Sequence, residues 1–97
     1  MIQRDTFTGM IEQEEINRMQ WAVRRGMLEL DLVLEPFVRM RYAHLHEADR
    51  RRFQQLVLCE DQDLFAWLMQ REQPHDEELA AIVSQILKFT RTAPEDR

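Results

Sequence analysis

Few side chains in this 97-residue chain are of the kinds that make or break covalent bonds. Ser84 and Cys59 are the nucleophile candidates, and neither is accompanied by a base and an orienting group, which nucleophilic catalysis needs within hydrogen-bond reach. Cys59 is the single cysteine, so it has no disulfide partner within the chain and completes no cysteine-based metal site. It reads as a small buried hydrophobe. His44 and His46 lie two apart, which on a helix would turn them about 200° from each other, so they make no ligand pair. The acids of EDQD, Glu60 to Asp63, lack the central glycine and distal glutamate of a calcium loop and suit helix capping instead. A glycine-rich phosphate cradle is absent. Residue types and spacing therefore give no support to an enzyme active site, and no stably bound cofactor or metal is expected.

One stretch stands apart. In RRGMLELD, Arg24 to Asp31, a glycine flanked by arginine separates two runs that read as helix. At about 100° per residue, Asp31 and Glu35 share one stripe, expected to be the wet one. Glu29 points about 160° away from Asp31, in line with Val33, Pro36 and Met40. An unpaired acid on a second face of an apolar helix needs a reason, because burying its charge is costly. Two reasons stand open. Glu29 pairs internally with Arg24 or Arg25 across the bend at Gly26, or the bend and Glu29 form an exposed polar surface that docks another protein, with Gly26 letting a partner's backbone come close.

The elements that position this stretch follow from periodicity. The chain is rich in Leu, Glu, Gln, Arg and Met, with two glycines and three prolines, a composition that favours helix throughout. The expected fold is all-α: a compact single-domain bundle of about five helices. A first helix from Glu12 carries Ile16, Met19 and Val23 at helical spacing and ends or bends at Gly26. A second, from about Met27 to Tyr42, is apolar around most of its circumference, which implies burial on several sides. Pro36 should kink it or divide it in two. A third spans about Glu47 to Leu58. Asp61 or Asp63 is expected to cap a fourth, carrying Leu64, Phe65, Trp67 and Leu68. His75 or Asp76 caps a fifth, with Leu79, Ile82, Val83, Ile86 and Leu87 on one face. Phe53, Leu56, Trp67, Leu68, Ile82 and Ile86 are expected in the core. Residues 1–10 and 90–97 read as flexible ends of one domain spanning 1–97.

Charge bounds the partners. A net charge of −5 works against general nucleic-acid binding, which depends on neutralising phosphates, and the run Arg50 to Arg52 reads as a solvated helix face. No apolar run approaches the roughly 18 residues that span a bilayer, and the opening MIQRDTFTGMIEQEE has the pattern of neither a secretory signal nor a transit peptide. The expectation is a cytoplasmic protein without direct membrane insertion.

RRGMLELD, followed by Pro36 and Phe37 and then by CEDQDLFAWLM, resembles the FAD assembly factor SdhE family, whose eukaryotic relatives are the mitochondrial succinate dehydrogenase assembly factors. Its hallmark, Arg-Gly, two residues, then Glu, is matched by Arg25, Gly26 and Glu29. Its acidic Asp-Leu-Phe-x-Trp-Leu stretch is matched within Asp61 to Leu68. The resemblance covers roughly residues 16–87. His46 stands where relatives often carry a Ser cap, and the N-terminal lead is longer. The resemblance implies a five-helix domain that is no enzyme itself and assists covalent attachment of FAD to the flavoprotein subunit of succinate dehydrogenase, and in bacteria to that of fumarate reductase. FAD would then be the partner's cofactor. It further implies docking through Arg25, Gly26 and Glu29, with Arg24 and Asp31 flanking the contact. The label of antitoxin, which relatives also carry, keeps a second reading open: a regulatory protein-interaction module.

Overall fold

The computed structural model describes residues 13–92, and every regular element among them is helical. Helix α1 runs Gln13–Ala22, α2 Leu28–Arg41, α3 Glu47–Leu56, α4 Asp61–Leu68 and α5 Glu77–Arg91, with a short 3-10 piece at Tyr42–His44. The expected all-α architecture of five helices is therefore present. The expected flexible ends fall largely outside the described residues, except that α5 continues through Arg91 where a tail was expected from residue 90.

The kinked second helix is present too: α2 continues through Pro36 without dividing and is joined to the 3-10 piece. Its burial differs from expectation. Leu30, Leu34, Phe37 and Val38 are buried, while Leu28 and Leu32 are 67% and 66% exposed. At about 100° per residue the four buried positions fill one arc of about 100°, and α1, α4 and α5 all pack on α2. Leu28 and Leu32 fall outside that arc.

One continuous cluster forms the core, drawing on α2, α3, α4 and α5. Its centre is aromatic. Phe37 stacks on Phe53 with ring centroids 5.6 Å apart and meets Phe89 edge-on at 5.4 Å, while Tyr42 meets Phe53 edge-on at 5.5 Å. Such pairs add roughly 0.5–1.5 kcal/mol each beyond area burial. Phe53, Leu56, Leu68, Ile82 and Ile86 are buried as expected. Trp67 is only half-buried, since it lines an open cleft against Val83 and Leu87 of α5.

Helix ends follow local chemistry. Asp76 caps α5, its carboxylate accepting from the amides of Glu78 at 2.7 Å and Leu79 at 3.2 Å. At α4 the expected cap is not made. The chain enters the helix one residue earlier, with Glu60 extended at the cap position and making no side-chain cap bond. Asp61 and Asp63 sit in the first turn, where an acid complements the helix dipole. At the other end of α3 the helix stops at Leu56, short of the expected Leu58.

α1 carries no fully buried residue. Ile16, Met19 and Ala22 pack half-buried against the core, and a polar knot fixes the register. The Tyr42 hydroxyl donates to Glu15 Oε2 at 2.8 Å, and Gln54 Nε2 donates to the Tyr42 oxygen at 2.9 Å. Burial pushes the Tyr42 phenol up from 10.0 to about 12, with its hydrogen bonds to Gln54 and Glu15 as smaller contributions of opposite sign. The folded state thus holds this proton more tightly than the unfolded chain. Its contribution is complete below pH 10.0 and is lost as pH rises to about 12. Over that window stability should fall by roughly 2–3 kcal/mol from this group. Urea unfolding between neutral pH and pH about 12 checks it, and Tyr42→Phe should remove this part of the alkaline decline.

Candidate docking site at the Arg-Gly turn

The five residues between α1 and α2 carry Arg25 and Gly26 of the Arg-Gly-x-x-Glu motif, with Glu29 in the first turn of α2, and Gly26 decides their path. Its φ is +78°, in the left-handed region, and a Cβ built there would meet nothing within 4 Å. Glycine is therefore required here by backbone conformation, while the space around it lies open.

The two arginines before it part company. Arg24 is exposed, its guanidinium 5.7 Å from the centre of the Trp21 ring. Arg25 turns inward, its side chain 17% exposed. Its guanidinium donates to the Val57 carbonyl and lies 3.4 Å from Asp61 Oδ1, and its Nε is buried without an acceptor. Its backbone amide donates to Asp31 Oδ1 at 3.1 Å. The attraction is physically reasonable on both sides, because carbonyls at a helix C-terminus lack intrahelical donors and favour a cation. Arg25 thus sits between the end of α3 and the start of α4.

These contacts leave no place for Glu29 in an internal pair at the turn. Glu29 is exposed and makes no hydrogen bond or ion pair among the described residues, so it does not pair with Arg24 or Arg25. The Asp31–Glu35 stripe is not uniformly wet either. Asp31 is half-buried under the turn, and Glu35 reaches Arg39 one helical turn on, at 3.3 Å. The outward face of α2 is instead that of Leu28, Glu29 and Leu32.

Four large apolar side chains are conspicuously exposed: Trp21 at 74%, Leu58 at 76%, Leu28 and Leu32. Leu28 and Leu32 flank Glu29 on α2. Trp21 and Leu58 line a groove of about 760 Å³ between α1 and the end of α3, together with Arg18, Met19, Gln54 and Val57. Trp21 stands on α1 before the turn, Leu28 and Leu32 stand on α2 after it, and Leu58 follows Val57, whose carbonyl Arg25 holds. Scattered exposed leucines are ordinary, but apolar side chains gathered around a polar feature suit a protein-binding face. Sequence reasoning placed exposed hydrophobics on the first two helices without naming them, and its reading of α2 as buried on several sides hid Leu28 and Leu32. The available signal was that α2 offers more apolar positions than one buried arc accommodates.

Other candidates are accounted for without a site. Cys59 is half-buried rather than buried, its thiol donating weakly to the Gln55 carbonyl at 3.7 Å. Burial pushes its pKa up, away from the thiolate character that reactivity needs. His44 and His46 are exposed, and among the described residues no group of three or more His, Cys, Asp or Glu is placed to hold a metal ion. The Arg50–Arg52 run is internally matched. Arg50 donates to the Leu45 carbonyl at 2.7 Å, Arg51 pairs with Glu47 at 2.7 Å, and Arg52 lies 2.6 Å from both Asp49 and Glu78. No helix among the described residues is long and apolar enough to cross a membrane.

Comparison with known proteins places this geometry in a family. The family model described as Sdh5, flavinator of succinate dehydrogenase, matches residues 17–90. A protein of Pseudomonas savastanoi pv. phaseolicola named FAD assembly factor SdhE is 53% identical over 78 residues, covering 80% of this chain and 93% of that relative. Proteins of the same name are 49% identical over 78 residues in Pseudomonas aeruginosa, with the same coverage. In Shewanella oneidensis the figure is 47% over 76 residues, covering 78% of this chain and 93% of the relative. The match begins within α1, takes in α2 to α4 whole and ends within α5, with both segments that meet at Arg25 inside it, and this chain belongs to the Sdh5 family, the flavinators of succinate dehydrogenase.

Proposed function

We propose that this chain is an assembly factor that docks on the flavoprotein subunit of succinate dehydrogenase and promotes covalent attachment of FAD to it. The observation that carries this reading is Glu29: an exposed acid without an internal partner, flanked by exposed Leu28 and Leu32 beside an open glycine turn. An interface core of this kind, apolar with a few placed polar groups, is where binding energy concentrates. In this role Arg24, Gly26 and Glu29 meet the partner, while Arg25 and Asp31 hold the turn from beneath.

The contribution to chemistry is orientation. Holding the partner's flavin and its attachment histidine in a reactive geometry lowers the entropic part of the barrier, and bond formation remains the partner's own. FAD is accordingly the partner's cofactor, with this chain binding none stably and acting in the cytoplasm. The fumarate reductase flavoprotein, a related subunit, is a second client in the same reading.

Glu29→Ala should leave stability within about 0.5 kcal/mol of the parent, as for an exposed residue without partners. It should lower covalent flavin in the dehydrogenase subunit about tenfold when the chain is limiting, the loss of one interface hot spot. In-gel flavin fluorescence after denaturation reads this directly in cells lacking the native chain. Normal fluorescence with a folded variant would sink the proposed role of Glu29.

A further inference from the structure

The two segments that mark the family are far apart in sequence, and Arg25 is where they touch. RRGMLELD supplies the arginine and EDQDLFAWL supplies Asp61, with Nη1 to Oδ1 at 3.4 Å. The geometry points to Asp61 as a positioning residue for docking: it acts by holding Arg25, and through it the turn, and not by touching the partner. This rests on the docking role proposed above.

Val23 and Met27 anchor the two ends of the turn in the core, and between them the three polar contacts that tie it to the rest of the described residues all involve Arg25. Its amide is held by Asp31, one arm of its guanidinium by the Val57 carbonyl and the other by Asp61. Gly26 has left-handed φ and no side chain to anchor it, so nothing at its own position restricts it. Glycine loses more conformational freedom on ordering than any other residue. A turn ordered before the partner arrives spares that loss at the moment of binding, which is how preorganisation raises affinity.

Asp61 suits this task because the helix takes its cap position from Glu60. The Asp61 carboxylate is released from capping and meets Arg25 at the N-terminus of α4. An aspartate is short enough to be held in one geometry there. The side chain is 40% exposed, so the pair is screened and its energy modest, and its value lies in fixing direction.

The test is a double-mutant cycle with two readouts. Asp61→Asn should speed amide exchange at Arg25 and Gly26 several-fold while leaving exchange at Ile86, in the core, unchanged. It should weaken binding of the purified chain to the apo flavoprotein subunit about threefold to tenfold. In an Arg25→Met background the same substitution should add no further loss, because the residue through which it acts is gone. An equal loss in both backgrounds would mean that Asp61 touches the partner itself, and would overturn the proposal. So would unchanged exchange at Arg25 and Gly26 with unchanged binding. If Asp61→Asn does not fold, Asp61→Ser carries the same cycle, since serine is also tolerated in a first helical turn. Failure of the unsubstituted chain to bind would strike the docking role itself, whereas the exchange readout reports on the clamp without any partner.

Discussion

Gly26→Arg is expected to leave the five helices standing and to remove most covalent flavin from the dehydrogenase subunit, while Gly26→Ala should cost the same stability and far less flavin. The two substitutions share one penalty. Gly26 has φ +78° and open space around an added Cβ, so any L residue meets backbone strain of about 1–2 kcal/mol without a clash at Cβ. That loss is survivable against a typical total of about 5–15 kcal/mol. What separates them is what lies beyond the Cβ. Arginine projects a long charged side chain from the surface where the partner's backbone is proposed to approach, and a partner cannot close over it without displacing its own contacts. A loss greater than about tenfold for arginine, and of a few-fold for alanine, is the expected pattern, each 1.4 kcal/mol of interface energy being a factor of ten. Thermal or urea unfolding gives the shared stability cost, and in-gel flavin fluorescence gives the difference. Equal flavin loss in both variants would mean that the backbone path of the turn matters and the space over Gly26 does not.

Phe53→Ala should have the largest effect on stability of any single truncation. Phe53 is fully buried and meets both Phe37 and Tyr42 through its ring. Phe37 in turn meets Phe89 of α5. Removing the ring leaves a cavity at the joint of three helices, and substitutions of this kind cost about 3–5 kcal/mol. Set against a typical total of about 5–15 kcal/mol, this brings the chain near its limit, and urea unfolding followed by circular dichroism should show the midpoint fall accordingly. Leu58→Ala is the useful contrast. Leu58 is similarly apolar but 76% exposed, so its truncation should hardly move the midpoint.

These contrasts mark where sequence was informative. The α5 stripe of Ile82, Val83 and Ile86 was legible because its period has one interpretation, and the cap was narrowed to His75 or Asp76 by local signals, with the structure choosing Asp76. α2 was less legible. Its apolar positions exceed one face, and only packing against α1, α4 and α5 decides that Leu30 is inside and Leu32 outside. At the turn, sequence distinguished Glu29 from the Asp31–Glu35 stripe but could not tell which acid would hold Arg25. The answer lies in Asp61 and the Val57 carbonyl, remote in sequence and brought in by the shift of the α4 cap to Glu60. Local spacing contains no trace of such a contact. The resemblance noticed both segments without indicating that they touch.

The shallow seating of α1 bears on how this surface behaves in time. A helix without a fully buried side chain, held by half-buried Ile16 and Met19 and by the Glu15–Tyr42 hydrogen bond, can open at a cost well below that of unfolding the whole chain. α2, with four buried residues, opens only when the core does. The Arg-Gly turn is therefore strung between a separable unit and a fixed one. A partner closing over Trp21 and the turn would suppress the opening of α1, so that docking and the folding of this helix become one coupled equilibrium.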